Sequence, residues 1–245
     1  MGLLDIFKSK DERAEKSREK TISRALNKYA QSPDRLRALE SLAQDGTEEA
    51  LFGLLRRFGF QYDKSIEDEH EKEWVCDTLV SKGASALPAV RRYLKNADSV
   101  TWPLRVLSQI ASSPAEELEV IKEVLARHEP GYERDPTKKI QILSHLGQMK
   151  DDGISALVVP YLEDMDEGVR YMATETLLRH KEEAISRVPL LTLFASHTED
   201  SLRLRLRIAQ GFLELKWPTG EWRPAIENKM PEAFKLDKAG LFQKK

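Results

Sequence analysis

Cysteine is nearly missing from this chain, which holds one, Cys76. A framework of intrachain disulfides is therefore excluded, and such usage fits a reducing compartment. Long apolar runs are missing too. No stretch reaches the roughly 18 residues that a membrane-spanning helix needs. No charge sign dominates, since 39 basic and 41 acidic side chains give a formal net charge of -2. Attraction of the whole surface to nucleic acid or an anionic membrane is not indicated, which leaves only local patches open. Gly (12) and Pro (11) are modest, and strand-like runs are scarce. The sequence has no Gly-rich phosphate loop, no Cys/His metal spacing and no nucleophile motif. It therefore implies no cofactor and no metal, and it names no catalytic residue. The opening MGLLDIFKSK has too short an apolar stretch and no cleavage pattern for a signal peptide. Ile6 stands where an N-myristoylation signal wants Ser or Thr. A cytoplasmic location is the expectation.

What is present is helical patterning. Hydrophobic residues make up 40% and charged residues 33%, which suits helices with broad solvated faces. The clearest stretch is DEGVRYMATETLLRH at 166–180. It sets Val169, Met172, Ala173, Thr176 and Leu177 on one face at i, i+3, i+4, i+7 and i+8. A second apolar helix, SALVVPYLED at 155–164, precedes it across a short acidic turn. A helix pair this short cannot bury its apolar faces alone and needs copies beside it.

Five further pairs are predicted around that one. Their helices fall at 17–30 and 33–45, 47–58 and 67–82, 84–95 and 98–111, 114–127 and 136–149, and finally 183–195 and 200–215. Gly, Pro, Ser and Asp punctuate most of the ends. The second helices share a register, in which a first-turn residue leads core residues at +3 and +7. It reads Arg35–Ala38–Leu42, Lys72–Val75–Leu79, Pro103–Val106–Ile110, Lys139–Ile142–Leu146, Arg170–Ala173–Leu177 and Arg205–Ile208–Phe212. All the leaders but Pro103 are basic, and they recur 31 to 37 residues apart. Core packing alone does not call for a basic leader.

The stretch YLEDMDEGVRYMATETLL resembles the HEAT repeat, in particular that of the phycobilisome-lyase-type HEAT proteins. Asp166, Val169 and Arg170 match the turn Asp and the Val-Arg pair of that repeat. The resemblance covers residues 17–215 and is sharp in the fifth pair. It implies an all-α, right-handed α–α superhelical solenoid of about six helix pairs, with Asp166 and Arg170 in a ladder that ties neighbouring pairs together. Residues 1–16 would be a polar leader and 216–245 an irregular cap that covers the last apolar face. Within that cap, 231–242 reads as a short helix. Trp217, Trp222, Phe234 and Leu241 would do the covering.

Such a fold fits many functions. The favoured reading is a non-enzymatic scaffold or adaptor that binds a protein partner through its concave face or through the edge carrying two long turns. Those turns, 59–67 and 128–136, offer Phe60, Tyr62, Lys64, Tyr132, Glu133 and Arg134 as the candidate contact residues. The apolar Leu3, Leu4, Ile6 and Phe7 could dock on the first pair or touch a membrane surface weakly. Two other classes share the resemblance: a bilin-lyase-like protein, and a nucleic-acid-binding protein akin to the alkylpurine DNA glycosylases. Trp74 and Asp77 echo the Trp and Asp of the latter loosely, in acidic surroundings. Glu67 and His70 form an E-x-x-H inside the acidic run IEDEHEKE, which reads as a solvated face. In SLRLRLRIA (201–209), alternation alone reads as a strand, while the repeat register reads as a buried helix. Its arginines are expected to pair with Glu199, Asp200 or Glu214.

Overall fold

The computed structural model describes residues 10–62 and 65–245. Among these, regular structure is thirteen α-helices and one small hairpin. The first seven helices are α1 Lys10–Ala25, α2 Ser32–Asp45, α3 Glu48–Leu55, α4 Ser65–Ser81, α5 Leu87–Asn96, α6 Thr101–Ile110 and α7 Pro114–Leu125. The rest are α8 Thr137–Leu146, α9 Ile154–Val158, α10 Glu167–His180, α11 Glu183–Ala195, α12 Leu202–Leu215 and α13 Arg223–Glu227. Tight 3-10 turns extend α3 over Arg56–Gly59, precede α5 over Gly83–Ala86, and extend α9 over Val159–Glu163.

Local chemistry sets the ends. Pro33 opens α2, where its missing N–H costs nothing, and Gly46 closes it in the left-handed conformation with its N–H on the Leu42 carbonyl. Thr47, Asp166 and Ser201 cap α3, α10 and α12, each side chain accepting an N–H of the first turn. Lys181 and Lys216 end α10 and α12 at positive φ. The expected leader boundary at residue 16 falls inside α1, which runs unbroken to Ala25. Leu3, Leu4, Ile6, Phe7 and Lys64 lie outside the described residues.

The chain divides into two compact units, residues 1–124 and 125–245. In the first, α1, α3 and α5 pack as one row and α2, α4 and α6 as a second. In the second, α8, α10 and α12 form one row, while α9 with its 3-10 extension packs against α11. Every +3 and +7 residue of the shared register is buried, from Ala38 and Leu42 to Ile208 and Phe212. Each Val, Leu, Ile or Phe among them contributes roughly 1.5–3 kcal/mol. Two glycines permit close approach of helices. A Cβ on Gly53 would stand 2.7 Å from Ile22 of α1, and one on Gly211 would stand 2.5 Å from Leu178 of α10.

Residues 202–209 are helical, in α12, despite the alternation of 201–209. The register prevails because Leu204, Ile208 and Ala209 are fully buried. Residues 231–242, in contrast, do not form the expected helix. β1 (Phe234–Leu236) pairs antiparallel with β2 (Phe242–Lys244), Phe234 opposite Lys244. The intervening Asp237 carboxylate accepts the N–H groups of Ala239 and Leu241, and Gly240 takes φ 79°. This local bonding competes with helix formation. The hairpin brings Phe242 against Phe194, Phe212 and Phe234, and Trp217 against Phe212, at centroid distances of 5.5–6.4 Å. That aromatic cluster packs the hairpin against α11 and α12.

Candidate functional site

The basic leaders do not project into solvent. Arg35, Lys72 and Lys139 are buried, and Arg170 and Arg205 half-buried. Arg35 donates through Nη2 to Glu71 at 2.7 Å, Lys139 to Asp164 at 2.8 Å, and Arg170 through Nε to Glu199 at 2.7 Å. Each partner carboxylate lies in the following helix pair, so these ion pairs tie adjacent pairs together. Lys72 instead pairs within α4, with Asp68 at 2.6 Å. Arg205 donates to the carbonyls of Phe194, Ser196 and Glu199. The carboxylate that meets Arg170 is Glu199. Asp166 is engaged elsewhere, accepting the Val169 N–H at 3.0 Å as the cap of α10. Arg203 and Arg207 do not meet Glu199, Asp200 or Glu214. They reach across to Glu167 and Glu175, because their face of α12 is turned toward α10.

In the first unit, the chemistry gathers around Arg57, which is fully buried at the start of the first long turn. Its guanidinium donates to Glu71 at 2.9 Å, to Asp68 Oδ1 at 2.7 Å, and to the carbonyls of Phe60 and Asp68. It also lies over the rings of Phe60 and Tyr62, at 4.7 and 4.2 Å. Arg35 lies over the Tyr62 ring as well, at 4.0 Å. The backbone N–H of Tyr62 donates to Asp68 at 3.2 Å. Phe60 and Tyr62 are thus half-buried, with their faces used inside the molecule. The Tyr62 hydroxyl is driven up to about 12, chiefly by burial. Asp68 is held below the usual carboxylate range: burial opposes this, but hydrogen bonds from Lys72, Arg57 and Tyr62 prevail. The acidic run is therefore not a uniformly solvated face. Asp68 and Glu71, at i and i+3, are buried, while Glu67, Glu69, His70 and Glu73 are exposed. Arg57 carried no signal in the register. The useful hint was an arginine directly before an aromatic turn.

In the second unit, the turn 128–136 is fastened by Lys139, whose Nζ donates to the Gly131 carbonyl at 2.9 Å as well as to Asp164. The Gly131 N–H donates to Asp164 in return. Glu133 lies 2.8 Å from His128 Nδ1 and 3.6 Å from Lys139 Nζ. Of the expected contact residues here, Glu133 is half-buried and engaged, Arg134 is exposed, and Tyr132 is 80% exposed.

Uncovered surface remains beside these clusters. In the second unit, an open groove of about 760 Å³ runs between α10, α12 and the hairpin. Tyr171, Leu202 and Leu206 form its apolar floor, and Arg203, Lys244 and Lys245 stand around it. Leu202 is 59% exposed. The reading of 201–209 as a helix buried between neighbours did not foresee this exposed face. Cys76 is fully buried, and burial raises its thiol pKa. Trp74 is half-buried, and Asp77 is exposed on the same helix. No helix of the described residues is long and apolar enough to cross a membrane. No protein-family model and no curated protein matches this sequence.

Proposed function

We propose that this chain is a non-enzymatic scaffold of HEAT-like helix pairs, wound as a right-handed solenoid, that binds a protein partner through the face of its second helices. The solenoid reading is supported by the shared register and by leader ion pairs that join successive pairs. The binding reading rests on one observation, the exposed Leu202 beside half-buried Leu206 and Tyr171 on α12 and α10, edged by Lys244 and Lys245. An apolar centre with a charged rim is the anatomy of a protein interface. The basic rim selects a partner segment that presents carboxylates around an apolar anchor.

The test is affinity capture with cross-linking from the native host, comparing the wild type with a Leu202→Glu, Leu206→Glu variant. A specific partner should bind the wild type at least tenfold more tightly, about 1.4 kcal/mol, with the melting temperature unchanged. Equal affinity in the folded variant would exclude this face. Retention on heparin with steep salt dependence would point instead to nucleic acid.

A further inference from the structure

Arg203 lines the groove between α10, α12 and the hairpin, and its neighbours fix its pose. Its Nε and Nη2 donate to the two carboxylate oxygens of Glu167 at 3.3 and 2.7 Å. Glu167 is steadied in turn by the Ser201 hydroxyl, which donates to it at 2.7 Å. One face of the guanidinium lies over the Tyr171 ring, 4.2 Å from its centroid. The Arg203 side chain is nevertheless 61% exposed. Among the described residues no second ring lies over it, and neither N–H of Nη1 is bonded within the protein.

A guanidinium already held at one edge and on one face loses little further freedom when a ring covers the other face. Arginine and aromatic side chains are also the pairings that dominate interface energetics. Leu202, exposed, and Leu206, half-buried, continue this face of α12 with apolar surface.

Charge narrows the choice of partner. The lining holds Arg203, Arg207, Lys244 and Lys245 and, among the described residues, no carboxylate. Arg203 and Arg207 are paired with Glu167 and Glu175 of α10. Lys244 and Lys245 are exposed and make no ion pair among the described residues. The spare positive charge of the groove therefore sits on the hairpin side. A nucleobase also has a face to stack, but Glu167 and Glu175 border both arginines and repel a phosphate backbone, while Leu202 and Leu206 suit a peptide.

On the reading of this groove as a binding face, we propose that its partner is a peptide segment carrying an aromatic residue next to acidic ones. The aromatic ring covers the open face of Arg203 beside Leu202 and Leu206, and the carboxylates meet Lys244 and Lys245.

Peptide phage display on the full chain, with counter-selection on the Leu202→Glu, Leu206→Glu variant, tests this. Enriched peptides are expected to combine Trp, Tyr or Phe with neighbouring Asp or Glu. An enriched peptide, synthesised and titrated by fluorescence anisotropy, should bind at least threefold more weakly to Arg203→Lys, which keeps the charge and removes the planar face. The Lys244→Gln, Lys245→Gln variant should weaken it at least fivefold at low salt and flatten its salt dependence. Both variants should melt close to the wild type. Enriched peptides that lack an aromatic residue, or unchanged affinity in the folded Arg203→Lys variant, would overturn the aromatic anchor while leaving the binding face in place. If no peptide survives the counter-selection, the face itself is wrong and the anchor falls with it. Displacement of the peptide by a single-stranded oligonucleotide that binds more tightly would assign the face to nucleic acid and overturn the proposal.

Discussion

The two long turns, 59–67 and 128–136, both mix aromatic and charged residues, yet a different cation fastens each. Arg57 anchors the first turn and is itself covered by the rings of Phe60 and Tyr62. Lys139 anchors the second through a single Nζ shared between Asp164 and the Gly131 carbonyl, and Tyr132 is left outside. The physical chemistry of the two cations explains the difference. A guanidinium is planar, so it can satisfy carboxylates and carbonyls at its edge while its faces accept aromatic rings. An ammonium is a compact point charge with three donors and no face to cover. The rings of the first turn therefore serve the interior, and the ring of the second remains available for contact.

Removing the anchors should break this comparison most sharply. Arg57→Met leaves Glu71 and Asp68 each short of a buried donor and strips the support from two rings. A loss of roughly 5 kcal/mol is expected, the upper end for breaking a buried ion pair. Lys139→Met should cost less, roughly 3 kcal/mol, because Asp164 keeps the N–H groups of Gly131 and Asp166. Calorimetric melts of both variants, read for each unit's transition, would check the ranking. Equal losses would mean that the extra bonds of Arg57 add nothing.

The rings come next. Tyr62→Ala should destabilise by about 2 kcal/mol, losing buried area and two guanidinium contacts. Tyr132→Ala should stay within about 0.5 kcal/mol, as for other exposed positions. A comparable loss at Tyr132 would show that its turn packs in solution.

Acid should sharpen the contrast by a smaller amount. The folded-state pKa of Asp68 lies below its ordinary value. Its contribution is therefore present above the unfolded pKa, about 4, and is lost as pH falls through the lower folded value. The Tyr62 ring resonances should change on that descent below about pH 4. In Asp68→Asn that component of the acid response should vanish.

Much of this was legible in the residues. Most helix positions followed from caps and from apolar spacing, both local properties, although α1 spans Lys10–Ala25 and not 17–30. Residues 183–195 and 167–180 are helical as their pattern implies. The burial of Asp68 and Glu71 was not legible, because IEDEHEKE looks uniformly solvated until a neighbouring helix covers one side of it. The C-terminal hairpin was obscured for a different reason. Residues 231–242 have helix-compatible composition, and the bonds made by Asp237 decide against the helix.

The sequence by itself determined that the chain is mostly helical, that the helices of the shared register bury their +3 and +7 residues, and that basic residues lead most of those helices. These depend on a 3.6-residue period and on end groups a few positions away. Only the tertiary structure decided which carboxylate each leader meets. Arg35 finds Glu71, Lys139 finds Asp164 and Arg170 finds Glu199, at separations of 36, 25 and 29 residues. Those choices are set by how neighbouring pairs stack, since a long cationic side chain withdrawn from water must take the nearest acceptor that packing brings to it.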